Sequence, residues 1–484
     1  MTQGAFDLAA AARQEMTEHG FDPEFPADAE RQLADIRPHL AQGLQDFTSL
    51  LWSSIDNDES RDLDQIEWAE RVAGGIRVLV AIADVDSLVA KATPIDTHAA
   101  RETTTVYAGV RNFPMLPERL STDLTSLSEG QDRDAVVIEM LVAGDGAIAS
   151  SRIYRALVRN RAQLAYSAVG PWLEGTPEAA GAPPPKVAAS ADLGAQLKLQ
   201  DEAAHLLREA RHRLGALTFD RAEVQPVMAN GEVRDIEARR ANRASRLIED
   251  FMIGANEVMA RTLRDAGVSS IRRVVKAPER WARIMELAES YHDKLPPEPD
   301  AAALDAFLMR RKQADATHYA DVSLSVLKLM GPGEYVASRP GDTGQGHFGL
   351  AAHDYTHSTA PNRRFADLVT QRLLKALEAK APQPYTDDEL DAIARNCTLK
   401  EDAARKVQRD MTKRIAAVAL QHRVGQQFDA VVTGVTPKGV FVRIVDPPVE
   451  GRLMHGEQGV DVGDRLHVTL LGADPQRGFI DFGR

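Results

Sequence analysis

One stretch constrains this chain more than any other: Ser54-Ile55-Asp56-Asn57-Asp58-Glu59-Ser60-Arg61-Asp62-Leu63-Asp64-Gln65-Ile66-Glu67. Six carboxylates (Asp56, Asp58, Glu59, Asp62, Asp64 and Glu67) crowd together there and repel one another. Such a run is either spread out in solvent or gathered around a hard cation that takes oxygen ligands.

A calcium-binding helix–loop–helix is the first reading to weigh. Asp56, Asp58, Ser60, Asp62, Asp64 and Glu67 occupy the ligand positions of a twelve-residue loop. The sixth position, which needs glycine for a sharp turn, is Arg61. The exit helix is also missing. Ile76-Arg77-Val78-Leu79-Val80-Ala81-Ile82-Ala83-Asp84-Val85 follows a Gly74-Gly75 turn and is rich in β-branched residues, so it predicts a strand. The calcium loop is excluded.

At 484 residues the chain has length for two or three domains and apolar content for a sizeable core. No apolar run reaches membrane-spanning length, and Met1–Asp7 lacks the build of a signal peptide. Cys397 is the single cysteine, which excludes a disulfide framework or a cysteine zinc site. A soluble cytoplasmic protein is expected. The net charge of −13 argues against a sticky nucleic-acid surface. Arginine and lysine nevertheless cluster at Arg239–Arg246, Arg272–Lys276, Arg363–Arg372 and Arg405–Arg414, a pattern suited to an internal nucleic-acid path or to solvated helix faces.

In chain order, residues 1–50 read as helical, broken at Gly20, Pro23 and Pro26, and predict a small N-terminal domain. Thr176–Ser190, with Pro183-Pro184-Pro185, predicts a loop, Arg208–Leu214 a basic helix, and Asn230-Gly231-Glu232 a hairpin turn. Ala241–Leu263 predicts a long amphipathic helix with Glu249 and Asn256, two turns apart, on one face. Gly344, Gly346 and Gly349 satisfy G-x-G-x-x-G with Asp367 beyond, but no apolar strand precedes them and Pro361 interrupts the unit. His353 and His357 are four apart without the glutamate of a zinc-protease helix. Thr398–His422 predicts a charged helix. Five short strands, Phe428–Val435, Gly439–Val445, Gly451–Met454, Arg465–Leu471 and Phe479–Phe482, predict an OB barrel.

Three separated stretches resemble the RNase II (RNB) family of 3′-to-5′ exoribonucleases, in family order. They are SIDNDESRDLDQIEWAERVAGGIRVLVAIADVDSLV from Ser54, PMLPERLS from Pro114, and HFGL followed by YTHSTAPNRRFADL from His347. The third departs from the family string at Ser358, Ala360, Asn362 and Phe365. The C-terminal GVTPKGVFVRI…EGRL…VGDRLHVTLLGADPQRGFIDF resembles the family's S1-type RNA-binding domain.

The resemblance implies an α+β protein with a mixed-sheet RNB catalytic domain over 51–424, an S1-type OB barrel over 425–484 and a helical segment over 1–50. It implies Mg²⁺ (Mn²⁺ substituting) held by Asp56, Asp62 and Asp64, with Gln65 as a fourth candidate. Asp64, Arg363 and Asp62 would carry catalysis, with Arg363 gripping phosphate through its planar guanidinium. Tyr107, Arg364, His347, Phe348, Asn256, Glu249 and Phe441 would meet RNA, Tyr107 by stacking on a base. A half-buried strand tyrosine, helix-surface residues and a core phenylalanine are the plain alternatives for Tyr107, Glu249 with Asn256, and Phe441.

The expected partner is single-stranded RNA, degraded processively to nucleoside 5′-monophosphates by a monomer without a membrane. Two carboxylates of the family pattern are replaced here, by Gln65 and by Gln408. A silent RNB-like protein that only binds RNA 3′ ends is therefore the second reading. An OB-fold adaptor with an unrelated body is the third.

Overall fold

The computed structural model describes residues 6–175, 183–219, 222–229, 232–315, 319–343, 346–437 and 439–484. Helices α1 (Leu8–Glu18) and α2 (Ala27–Asp35) open the chain, and strand β1 (Gln45–Asp46) follows. The helical expectation for 26–50 therefore ends at Asp35. Ala11, Ala12, Met16 and Phe21 do not form a core of their own but share one with Val106, Ala108, Phe113, Val407 and Met411. So short a segment has too little apolar area to stand alone.

Strands β2 (Trp52–Asp56), β3 (Gln65–Val72) and β4 (Gly75–Ala83) surround the acidic run, and α3 (Pro94–Glu102) follows. The Gly74-Gly75 turn forms as predicted. A Cβ on Gly75 would lie 2.1 Å from the Val142 carbonyl oxygen, so the close strand approach demands glycine. A small pair, β5 (Val106–Tyr107) and β6 (Asn112–Phe113), precedes the long strands β7 (Asp132–Val142) and β8 (Ile148–Ala165). The sheet order is β1-β8-β2-β3-β4-β7, and β8 also bonds β7, so the sheet turns back on itself. Strand β3 touches β2 in register only at Ser53 opposite Glu67.

Helices α4 (Tyr166–Glu174), α5 (Pro185–Ala189), α6 (Ala191–Arg213) and α7 (Arg243–Asp265) cover the sheet, with strands β9 (Ala222–Ala229) and β10 (Glu232–Arg240) between the last two. The triproline region predicted as loop contains α5, since proline fits a first helical turn; residues 176–182 lie outside the described part. The strands β9 and β10 pair antiparallel as the hairpin signal requires, while Asn230 and Gly231 of the turn lie outside it. Where β3 has lost its neighbour, Gln196 of α6 replaces a strand. Its carboxamide accepts from the Ala69 N–H and donates to the Ala69 carbonyl.

Strand β11 (Ser270–Val274), helices α8 (Trp281–Ser290), α9 (Ala301–Ala314) and α10 (Tyr319–Met330), and strand β12 (Glu334–Ser338) follow. The three helices enclose a satellite core around Trp281, Phe307 and Tyr319. Helix α11 (Phe365–Glu378) leads to α12 (Asp387–Leu420), which begins eleven residues before the expected Thr398, behind a Thr386–Glu389 capping box. The last five strands are β13 (Gln427–Thr436), β14 (Gly439–Ile444), β15 (Glu450–His455), β16 (Arg465–Asp474) and β17 (Phe479–Gly483). They close a barrel in the order β13-β14-β15-β17-β16, as the strand pattern predicts. Arg414 on α12 fixes this barrel by donating to the Gln476 carbonyl at 2.6 Å and to Glu15 of α1 at 2.6 Å.

Candidate active site

Asp56 ends β2, and residues 57–64 loop from it to β3, which Gln65 begins. Asp56 caps this loop by accepting from the Asn57 N–H and the Ser60 hydroxyl at 2.7 and 2.8 Å. Asp62 and Asp64 sit deeper. Burial pushes the Asp62 carboxyl up, and it pushes Asp64 (2% exposed) up to about 7, with Asp62 adding repulsion and Arg363 opposing it. Both acids therefore carry a cost that a cation would relieve.

The Arg363 stretch enters from the other end of the chain. Ala360 donates its N–H to Asp367 at 2.8 Å, and the Asn362 N–H reaches Asp64 at 3.1 Å. The Arg363 Nε lies 3.5 Å from Asp64 Oδ2. Burial alone would lower this guanidinium's pKa, but Tyr107, Asp64, Asp367 and Asp62 around it hold it above its ordinary value. Its side chain is nonetheless 45% accessible, so it lines a solvent-filled recess. The strand segment at Thr105 is tied to the Arg363 carbonyl at 3.0 Å, and Tyr107 lies against the same guanidinium. A cavity of about 160 Å³ opens there, lined by Tyr107, Arg363, Arg364, Glu401, Arg405 and Gln408 among others. Thr104, Glu401 and Arg405 were not singled out as site residues from the sequence. The spacing of Glu401, Arg405 and Gln408 at i, i+4 and i+7 on α12 was the available signal.

The other candidates are placed as follows. Gln65 is buried at the start of β3, beside the acids. Arg364 is held by Asp367 at 2.6 Å and faces Tyr335. Asn256 is buried on α7 and accepts from the Ser358 N–H and hydroxyl, while its amide reaches the Tyr355 hydroxyl at 3.2 Å. It braces the Arg363 segment from behind. Glu249 lies on the exposed side of α7 among Asp250, Arg211, Arg208 and Arg246, and nothing joins it to the acidic run. His347 caps the turn at 348–350 by accepting from the Leu350 N–H, and burial lowers its pKa to about 4. Phe348 packs edge-on to Trp281 in the satellite core. Phe441 alternates with buried Val440 and Val442, outside the barrel core, opposite Arg452.

Several of the clustered arginines are committed to carboxylates of the protein itself. Arg273 is bidentate to Glu401, Arg243 pairs with Asp201, and Arg372 with Asp86 and Asp96. Arg273 and Arg372 are buried cations, which need such partners. The glycines of the dinucleotide pattern include Gly344, outside the described residues. His357 is buried beside Tyr335, 2.8 Å from its hydroxyl, and burial pushes its pKa well down. It is a neutral packing group.

Among the described residues, one group of three already has ligand atoms within 4.8 Å: Glu15, His19 and Asp410. Glu15 there is taken by Arg414. The ligand oxygens of the acidic run do not form such a group. The run's oxygen-only donor set fits a hard divalent ion.

The β2–β3 loop of a mixed sheet thus carries Asp56, Asp62 and Asp64, with Arg363 and Tyr107 beside Asp64, in a chain that ends in a five-stranded barrel of OB order. The chain belongs to the RNB family, whose domain matches residues 44–380; residues 426–484 match the RNase II-type exonuclease C-terminal S1 domain. It is 30% identical over 501 residues to ribonuclease R of Thermotoga maritima, covering 95% of this chain and 68% of that one. It is 30% identical to Escherichia coli ribonuclease R, covering 95% of this chain and 60% of that protein. Mycoplasma genitalium RNase R in complex with ribose methylated single-stranded RNA superposes with a TM-score of 0.87 at 22% identity, over 99% of this chain and 78% of that one. Yeast Ssd1, described as a pseudonuclease, superposes at 0.73 with 17% identity over 96% and 58%. The fold alone thus accommodates active and silent members, and the site must decide.

Proposed function

We propose that this protein is a 3′-to-5′ exoribonuclease that hydrolyses single-stranded RNA to nucleoside 5′-monophosphates, with Mg²⁺ as its metal. The convergence of Asp64, Arg363 and Tyr107 from three distant parts of the chain carries this reading. Asp56, Asp62 and Asp64 would hold the metal, which supplies polarisation of a phosphate and of a water molecule. Arg363, held charged by its acidic neighbours, binds the scissile phosphate and opposes charge that builds on it. The exposed Tyr107 ring (38% accessible) offers a face to the 3′-terminal base, and a π-face accepts any base. Asn256 and Asp367 hold the Arg363 segment by its backbone, so the guanidinium is positioned before substrate arrives. On the barrel, Phe441 and Arg452 supply a stacking ring beside a cation for the trailing strand.

The silent reading rests on Gln65 and Gln408, neutral where the family pattern is acidic. A gel time-course with 5′-labelled single-stranded RNA, with and without Mg²⁺, decides between them. A ladder shortening from the 3′ end, absent with Asp64→Asn, supports the nuclease. Bound but intact RNA in every lane makes the protein a 3′-end binder.

A further inference from the structure

We propose that a second, occluded cation site lies against the sheet, formed by Glu67, Ser53 and Gln200 and joined to the first through Asp56. It rests on the reading of Asp56, Asp62 and Asp64 as a metal site and deepens it. Glu67 is fully buried, and neither carboxylate oxygen has a hydrogen-bond partner among the described residues. Ser53 is its cross-strand partner on β2, and the Ser53 hydroxyl is also buried and unpartnered. Directly opposed residues of antiparallel strands point to the same side of the sheet. Gln200 of α6 covers this position. Its amide nitrogen reaches the Glu67 carbonyl at 3.4 Å, which leaves Gln200 Oε1 buried without a donor.

Four unpartnered oxygens at one buried position, two of them the carboxylate's own, stand out because buried polar groups are mostly satisfied. The charged group that acts on Glu67 is Asp56, and it is negative. A water molecule offers two hydrogens and leaves the negative charge uncompensated. A hard cation takes carboxylate, hydroxyl and amide oxygens together. The position explains Gln65 as well. Gln65 and Glu67 are two apart on β3 and share a face, so the carboxylate absent at 65 is present one pleat further on. The negative charge of the centre is kept but moved one pleat along the strand.

The test counts Mn²⁺ bound to the EDTA-stripped protein, without RNA, by electron paramagnetic resonance titration. Two ions are expected for the wild type, one for Glu67→Gln and one for Asp64→Asn. The melting temperature of Glu67→Gln should also lose part of the rise that Mn²⁺ gives the wild type. If Glu67→Gln binds as many ions as the wild type and melts no lower, Glu67 is carried as a neutral acid and the proposal is overturned. A wild type that binds no ion overturns the metal reading of the whole run, a separate result. Should Glu67→Gln not fold, Ser53→Ala removes one oxygen and keeps the charge. It should weaken the second ion at least tenfold and leave the first unchanged, and equal affinity for both would overturn the site.

Discussion

On the proposed reading, Arg363 is the residue on which substrate binding and chemistry both depend. Lysine keeps its charge but loses the fork that grips two phosphate oxygens. Arg363→Lys should lower kcat by about 10²-fold or more, in line with loss of a preorganised donor, with folding intact by circular dichroism. Asp64 gives a pH signature. In metal-free protein its folded carboxyl stays protonated up to about 7, whereas the unfolded one ionises near 3.8. Between those values the folded state binds more protons, so stability falls as pH rises, by up to about 4 kcal/mol from this group. Urea unfolding in EDTA from pH 4 to pH 8 should show that fall, shallower in Asp64→Asn. Mg²⁺ at pH 8 should restore stability to the wild type.

The element that matters most is α11, because Arg363 and Arg364 immediately precede it. An ionic lattice ties it to the end of β4. Lys375 reaches Asp84 at 2.7 Å and Asp86 at 2.8 Å, Arg372 reaches Asp86 and Asp96, and Arg155 of β8 completes Asp84 at 2.9 Å. Asp84→Ala takes the buried partner from two half-buried cations, Arg155 and Lys375, and should cost about 3 kcal/mol. It should also lower kcat, because α11 then floats against the sheet, and denaturation with a turnover assay checks both. Helix α7 shows a milder dependence. Asn242 caps it with the Ser245 N–H and closes a box through the Ser245 hydroxyl. Asn242→Ala should cost about 1 kcal/mol, read from the denaturation midpoint.

Across the whole molecule, α12 is the beam that carries both the site and the barrel. Its middle supplies Glu401, Arg405 and Gln408 to the cavity, and its end, Ile415–Leu420, shares a core with the barrel strands. Arg414 joins that end to α1 and to the turn before β17. Arg414→Ala strands the buried Glu15 carboxylate and should destabilise by about 3 kcal/mol. RNA affinity should fall more for long RNA, which reaches the barrel, than for RNA confined to the cavity, and a filter-binding series of lengths measures that. Arg363 should govern short and long RNA alike.

Much of this was legible in the residues. The Gly74-Gly75 hairpin, the α7 amphipathic stripe and the five barrel strands follow local rules of turn chemistry and periodicity, so the sequence reports them directly. Asp56, Asp62, Asp64 and Arg363 could be singled out before the fold because the short strings around them resemble family motifs. Other features depended on contacts between distant residues. The N-terminal helices looked like a domain until α1 was found packed on α12 and α2 on α3, and the arginine clusters looked like a path until Arg273, Arg243 and Arg372 were found paired with carboxylates. Glu249 and Asn256 share a helix face on paper, yet only Asn256 meets the Arg363 segment. Phe441 was divided between core and surface until β14 showed which side of the barrel it faces. The sequence by itself determined the elements and the chemistry on offer, because propensity and spacing act over a few residues. Only the tertiary structure decided which groups face one another, because burial and charge pairing act between residues as far apart as Asp64 and Asn362.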